Sequence, residues 1–295
     1  NNIPAKICSY SCIYCQLGRT TKISIERRSF YDPKRLFRVV KNKVEEAKSR
    51  GERIDYLTFV PDGEPTLDEN LGIEIEMLKG IGIPIAVLTN ASLLWRDEVI
   101  NDLLKADLVS LKVDAVNEDA WRTINRPHRS LRINEILDGI IRFSSEFKGR
   151  LITETMLIDG YMDSLEDIAD FLSKIRPCKA YIAIPTRPPA ESWVKPASEE
   201  AINRAFNIFS KSLGEGAVEY LIGYEGSSFA LTGDLEEDLL GIMSVHPMRE
   251  DGVSEVLRKA NADWGIIDKM LSEGKIVRLE YDGHTYYMRR IPSRS

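Results

Sequence analysis

Cys8-Ser9-Tyr10-Ser11-Cys12-Ile13-Tyr14-Cys15 gathers three of the chain's four cysteines into the spacing C-x3-C-x2-C. Thiolate is a soft ligand that suits zinc or iron–sulfur clusters. Closed structural zinc sites and ordinary ferredoxin-type clusters use four protein ligands, and the fourth cysteine, Cys178, is far away in sequence. Three close thiols without a nearby fourth point to a cubane cluster with one iron left open, a chemical centre rather than a staple. A zinc site is the alternative. It would need His128, His246, His284 or Cys178, none of which stands at finger-like spacing. A disulfide framework does not fit, since four cysteines in 295 residues are sparse and no signal-peptide pattern precedes them.

The second informative stretch is Val60-Pro61-Asp62-Gly63-Glu64-Pro65-Thr66-Leu67. Alone, Asp-Gly followed by Glu-Pro is an ordinary turn signal. With the cysteine triad, the sequence resembles the radical S-adenosylmethionine superfamily. That family has an aromatic just before the third cysteine, here Tyr14, and a Gly-Gly-Glu-type motif at the end of the second barrel strand. Here Asp62 replaces the first glycine. Three further phrases are similar to the branch containing wyosine-tRNA synthases and Fe–S oxidoreductases. They are Tyr14-Cys15-Gln16-Leu17-Gly18-Arg19-Thr20-Thr21, Ile124-Asn125-Arg126-Pro127-His128 and Ile184-Pro185-Thr186-Arg187-Pro188-Pro189-Ala190-Glu191.

The resemblance spans residues 1–230 and implies a partial (β/α)6 TIM-like barrel. It implies that Cys8, Cys12 and Cys15 hold three irons of one 4Fe–4S cluster, and that S-adenosyl-L-methionine chelates the fourth. Reductive cleavage of that cofactor would give methionine and a 5′-deoxyadenosyl radical that abstracts hydrogen from a substrate. An electron donor such as flavodoxin or ferredoxin is the implied partner. Gly63 would let backbone approach the methionyl group closely, and Glu64 or nearby carbonyls would accept from its ammonium.

Composition sets the bounds. Apolar residues make up 43% and charged residues 29%, as in a soluble globular protein. No apolar run approaches the roughly 18 residues of a membrane span, and reduced thiols fit a cytoplasmic protein. A net charge of −6 argues against a large nucleic-acid footprint. The chain starts at Asn1, and the expectation is that it begins inside a longer protein.

Up to residue 232, β-branched runs alternate with amphipathic stretches, the signature of repeated βα units. The expected strands are 53–60, 84–88, 108–113, 151–158 and 180–185, with helices at 34–50, 74–79, 96–105, 132–147 and 163–175. Residues 1–4 are expected to be the tail of a sixth, first strand. In parallel βα barrels the chemistry gathers at the carboxyl ends of strands. Asp62, Gly63, Glu64, Thr89, Asn90, Lys112, Asp114, Pro185 and Arg187 take such positions and, with Tyr14, are the candidate cofactor contacts. The structural alternatives are a turn cap for Thr89-Asn90, a surface pair for Lys112 and Asp114, and a salt bridge for Arg187. No catalytic residue is assigned. Cys178, beside Pro177, reads as a buried small residue.

Residues 233–295 change character. Three helices, carrying Leu239–Met243, Val253–Ala260 and Ala262–Leu271, precede a hairpin about Asp282-Gly283. This order resembles a winged helix. Its third helix carries Asp263 and Asp268 against one Lys269, a poor composition for reading DNA, so docking of a peptide or protein substrate is the expected role. The alternatives are wyosine-type tRNA modification and, outside enzymes altogether, a zinc-binding winged-helix regulator.

Overall fold

Strands and helices alternate from residue 33 to 221 because short β-branched runs are punctuated by Gly, Pro and Asn turns. The computed structural model describes residues 1–60, 62–162, 164–222, 231 and 233–290. Two short strands, β1 (Ile7–Cys8) and β2 (Lys22–Ile23), pair in parallel around the cysteine loop. Helix α1 (Pro33–Ser49) follows; Pro33 is pre-set for a first turn, and the Asp32 carboxylate accepts from Lys34 N–H at 3.0 Å.

The succeeding elements are β3 (Leu57–Phe59), α2 (Leu71–Lys79), β4 (Ile85–Thr89), α3 (Asp97–Leu103), β5 (Leu108–Lys112), α4 (Glu118–Ile124) and α5 (Ile133–Glu146). Then come β6 (Arg150–Met156), α6 (Leu165–Ile175), β7 (Lys179–Ala183), α7 (Glu199–Leu213) and β8 (Val218–Leu221). Strands β3 to β8 form one parallel sheet in chain order. Sequential parallel order with right-handed crossovers puts the helices on one face and every strand's carboxyl end at one rim. Helices α5 and α6 bury Ile136, Ile140 and Phe143, and Leu165, Ile168, Ala169 and Leu172, a core-facing stripe at helical spacing.

The sheet has six strands, but not the expected six. Residues 1–4 are not a strand, and the sixth is β8 at the other end, paired with β7. With Val218 as its one buried residue, β8 has too short an alternation to be read. Cys178 is exposed rather than buried, its thiol donating to Leu151 O at 2.9 Å.

The last segment consists of α8 (Leu235–Val245), β9 (Met248–Arg249), α9 (Glu250–Lys259), α10 (Gly265–Ser272), β10 (Ile276–Tyr281) and β11 (His284–Arg289). The strands form an antiparallel sheet ordered β10-β11-β9. Asp282 and Gly283 have φ of 47° and 72°, the left-handed pair that closes a two-residue hairpin. The segment has a core of its own, including Leu239, Met243, Val253, Val256, Ile267 and Met270.

A carboxyl in α2 makes stability depend on pH. Glu74 is fully buried and neither of its oxygens has a hydrogen-bond partner. Burial, then the nearby Asp68 charge, pushes it from 4.5 up to about 8. The folded chain thus keeps a proton that the unfolded chain releases at lower pH. The group's contribution is fully present below pH 4.5 and is lost as pH rises towards about 8. Glu74→Gln keeps the shape without the ionisation. It is expected to raise Tm at pH 8 by several degrees and to flatten the decline above pH 5; melts across that range that match the parent would contradict this.

Candidate active site

Backbone holds the cysteine loop on both sides. Ser11 and Ile13 N–H groups donate to Asn125 O and Ile124 O at 3.0 and 2.9 Å, and His128 N–H donates to Ser9 O at 2.8 Å. Opposite, Thr20 Oγ1 donates to Tyr10 O at 2.7 Å, and Ser24 N–H to Cys8 O at 3.0 Å. Residues on both flanks, Lys6 and Arg126, sit in the left-handed region with φ of 61° and 44°. Such strain persists only where the surroundings over-determine it.

Each sulfur meets an N–H group. Asn90 Nδ2 lies 3.4 Å from Cys8 Sγ, to which Tyr10 N–H also donates at 3.5 Å. Asn125 Nδ2 is 3.5 Å from Cys12 Sγ, and Lys6 Nζ is 3.6 Å from Cys15 Sγ. As free thiols, Cys8 and Cys12 are held protonated. Burial raises both; Glu64 adds to it at Cys8, and Asp114 adds to it at Cys12, which reaches about 12. A bound metal centre would have to supply the positive charge that makes them thiolates.

Among the described residues no three His, Cys, Asp or Glu side chains converge as a single-ion cage. Zinc draws its sulfurs to about 2.3 Å of one centre, whereas each thiolate of a cubane sits on its own iron. Three soft thiols, each beside an N–H donor, are a donor set that suits a cluster with one open iron.

The loop after β3 forms the next wall. Glu64 is 1% exposed, and four donors saturate its carboxylate. Thr66 N–H, Thr66 Oγ1, Thr89 Oγ1 and Asn90 N–H lie at 3.1, 2.6, 2.6 and 2.8 Å. Glu64 therefore ties the ends of β3 and β4 together, and Asn90 passes that order on to Cys8. Gly63 also has a close neighbour within the chain. A Cβ there would lie 1.9 Å from Ile7 O, so its close neighbour is the strand leading into Cys8. Asp62 accepts from Lys6 N–H through its backbone oxygen at 2.6 Å. Its side chain is buried, which raises its pKa, with Lys6 and Arg289 among the charges that oppose the rise.

A third network joins the ends of β5 and β6. Lys112 stands opposite Glu154 in the strand register and pairs with it, with Asp114 3.9 Å away. Tyr14 donates to Asp114, as does Asn125 Nδ2 at 2.8 Å, and Met156 N–H donates to its other oxygen at 2.9 Å. The Lys112 ammonium lies 5.0 Å from the Tyr14 ring centroid. Burial alone would lower the Lys112 pKa, but Glu154 and Asp114 outweigh it and raise it. So paired, Lys112 is held in its charged form.

Pro185 and Arg187 follow β7. Arg187 Nη1 donates to Gln16 Oε1 at 3.3 Å, bringing it to the cysteine loop. The last segment contacts the same rim: Tyr281 and Tyr286 hydroxyls donate to Pro185 O and Thr186 O at 3.1 and 2.9 Å, and Gln16 Nε2 donates to Val245 O at 3.2 Å. Glu191 collects the three motif phrases. It accepts from Arg19 at 2.9 and 2.8 Å and from Arg126, and its N–H donates to Ile13 O at 3.0 Å.

The candidates thus fall into linked groups at one rim: Glu64, Thr89 and Asn90 with Cys8; Tyr14, Lys112 and Asp114 with Cys12; Arg187 with Gln16 beside Cys15. Sequence reasoning passed over Lys6, Asn125, Glu154 and Glu191. Asn125 and Glu191 lay inside the quoted phrases. Glu154 could have been found as a charge within an apolar strand facing Lys112.

The model of the radical SAM superfamily matches residues 2–172. The chain belongs to the radical SAM superfamily. A UPF0026 protein of Methanocaldococcus jannaschii is 49% identical over 297 residues, covering 100% of this chain and 92% of the relative. Two solved structures are similar in fold at low identity. TYW1 with a lysine-pyruvate adduct superposes with a TM-score of 0.54 at 16% identity, over 71% of this chain and 72% of that one. Streptococcus suis SuiB bound to precursor peptide SuiA gives 0.56 at 14%, over 75% and 48%. Radical SAM membership makes the chain an enzyme, which speaks against the non-enzymatic regulator reading.

Proposed function

We propose that the chain holds one 4Fe–4S cluster on Cys8, Cys12 and Cys15, binds S-adenosylmethionine against it, and acts by radical chemistry on a peptide or protein. The observation that carries this reading is the three thiols, each beside an N–H donor, at a rim where strand-end polar groups converge. When bound, the cluster and cofactor together would supply a 5′-deoxyadenosyl radical. The chain's own residues position and enclose. Glu64 fixes the β3 and β4 ends against Cys8, which holds the loop after β3 in place beside the methionyl group. Asp114, held by Tyr14, Asn125 and Met156 N–H, offers a fixed acceptor to a hydroxyl. Arg187, bonded to Gln16 Oε1, places a buried positive charge beside the cysteine loop. The electron donor is an external protein.

The peptide reading draws on the last segment, which we read as a winged-helix docking unit. Among the described residues β10 pairs on one side only, with β11. A free strand edge can add a peptide strand. Its final residue, Tyr281, bonds to Pro185 at the barrel rim, so a peptide laid along β10 is led to the site. Wyosine-type tRNA modification is the second reading, supported by the motif phrases around Arg19, Arg126 and Arg187.

Anaerobic reconstitution followed by iron, sulfide and zinc analysis tests the cluster. About four irons and four sulfides per chain are expected, and one tightly held zinc in their place would refute it. Size-fractionated extract tests the substrate: a proteinaceous fraction is expected to stimulate cofactor cleavage, and stimulation by purified tRNA alone would favour the second reading.

A further inference from the structure

Lys6 is an ammonium folded into the protein beside a sulfur. Only 3% of the residue is exposed, and its Nζ donates to Gly18 O and lies 3.6 Å from Cys15 Sγ. Among the described residues it forms no ion pair with a carboxylate. Asp62 feels its charge, but burial raises that carboxyl's pKa. The backbone is committed to this placement. Lys6 holds φ at 61°, a left-handed conformation that is strained for a residue with a Cβ. Four hydrogen bonds to its main chain fix it there. Its N–H donates to Asp62 O at 2.6 Å, and its carbonyl accepts from Thr21 and Lys22 N–H, each at 3.2 Å, and from Thr21 Oγ1 at 3.1 Å. Charge around the three sulfurs is therefore uneven. Cys8 has Glu64 nearby and Cys12 has Asp114, whereas Cys15 has the ammonium. The other cation close to the triad, Lys112, is paired with Glu154.

Burying a charge is costly unless an opposite one meets it. A neutral donor could tie Gly18 O to the loop without that cost, so the charge itself calls for an explanation. Cys15 supplies the opposite charge once its sulfur is a thiolate on iron. We infer that Lys6 makes the cluster easier to reduce, acting through the Cys15 sulfur. The inference rests on the cluster reading above. Hydrogen bonds to the sulfurs, net charge and burial set the potential of an iron–sulfur centre. The reduced cluster carries one more negative charge than the oxidised one. A fixed ammonium beside one sulfur, screened by little water, stabilises the reduced form more. Glu64 and Asp114 act in the opposite sense near Cys8 and Cys12, and Lys6 offsets them at the third sulfur. The step is the gain of one electron from a reductant; no bond forms or breaks.

The test compares three variants of the reconstituted chain. Lys6→Met removes the charge and the donors at similar length, Lys6→Gln keeps an N–H donor without the charge, and Lys6→Arg keeps both. Iron is counted in each. The midpoint potential is then read in an anaerobic redox titration without S-adenosylmethionine, from the paramagnetic signal of the reduced cluster and the bleaching of its visible absorbance. The unaltered protein and Lys6→Arg should share one midpoint. Lys6→Met and Lys6→Gln should hold as much iron but titrate lower. At a fixed potential their reduced-to-oxidised ratio should fall at least about tenfold, about 59 mV for one electron. A Lys6→Met midpoint equal to the parent's would overturn the inference. A parental midpoint in Lys6→Gln would also overturn it, because the hydrogen bond and not the charge would then be the cause. If Lys6→Met takes up no iron, the other two decide: a parental midpoint in Lys6→Arg with a lowered one in Lys6→Gln supports the charge. Iron lost from all three variants would assign Lys6 to the shape of the loop and overturn the inference. An unaltered protein that holds zinc and shows no visible absorbance fails the cluster reading as well, whereas full iron with an unmoved Lys6→Met midpoint fails this inference alone.

Discussion

Gly63→Ala is expected to abolish cluster incorporation while leaving most of the barrel folded. The added Cβ would sit 1.9 Å from Ile7 O and 2.8 Å from Ile7 C, both backbone atoms that cannot rotate away. Either the loop after β3 or strand β1 has to move. Glu64 is held by four hydrogen bonds, whereas β1 has two residues and one partner strand. The weaker element yields, and it carries Cys8. Helices and the six-stranded sheet lie outside the clash, so far-ultraviolet circular dichroism should match the parent. Iron after reconstitution should fall to background. Full iron retention in this variant would show that β1 and the Gly63 loop are not packed as described.

Glu64→Ala should be the most destabilising single change at the site. It strips the acceptor from two backbone N–H groups and two hydroxyls in a pocket closed to water. Each buried donor left without a partner costs about 1–3 kcal/mol, and partial relaxation of the hydroxyls leaves a net loss of about 3–5 kcal/mol. Denaturant melts of the unloaded protein measure it directly. Glu64→Gln keeps one acceptor oxygen and should lose about half as much. Because Asn90 N–H is among the freed donors and Asn90 Nδ2 reaches Cys8 Sγ, the alanine variant should also release iron to a chelator faster than the parent. A melt within 1 kcal/mol of the parent would mean that Glu64 does not brace these loops.

How much was legible depended on the range of the signal. The cysteine spacing and the strand-end polar residues are local, and five of the six sheet strands stand where their apolar runs are. Strand β8 was missed because four residues with one buried position carry almost no periodicity. Helices α4 and α7 went unread among loop signals, although Asn117 and Ser198 cap them. Side-chain partnerships were beyond reach for a different reason. Lys112 and Glu154 are 42 positions apart and meet only through the parallel register of β5 and β6. The contact of Gly63 with Ile7 was out of reach because the two stand more than fifty positions apart in the chain. Glu191 lay within a quoted phrase, but its two arginines come from two other phrases, and no single stretch shows the meeting point.

The measurement that bears most directly on the central claim is 5′-deoxyadenosine production. The reconstituted chain is incubated anaerobically with S-adenosylmethionine and dithionite, beside a Cys12→Ala variant treated identically. The account predicts 5′-deoxyadenosine and methionine in equal amounts from the unaltered chain and none from the variant. No 5′-deoxyadenosine from a chain that holds its full complement of iron, or equal amounts from both proteins, would contradict it.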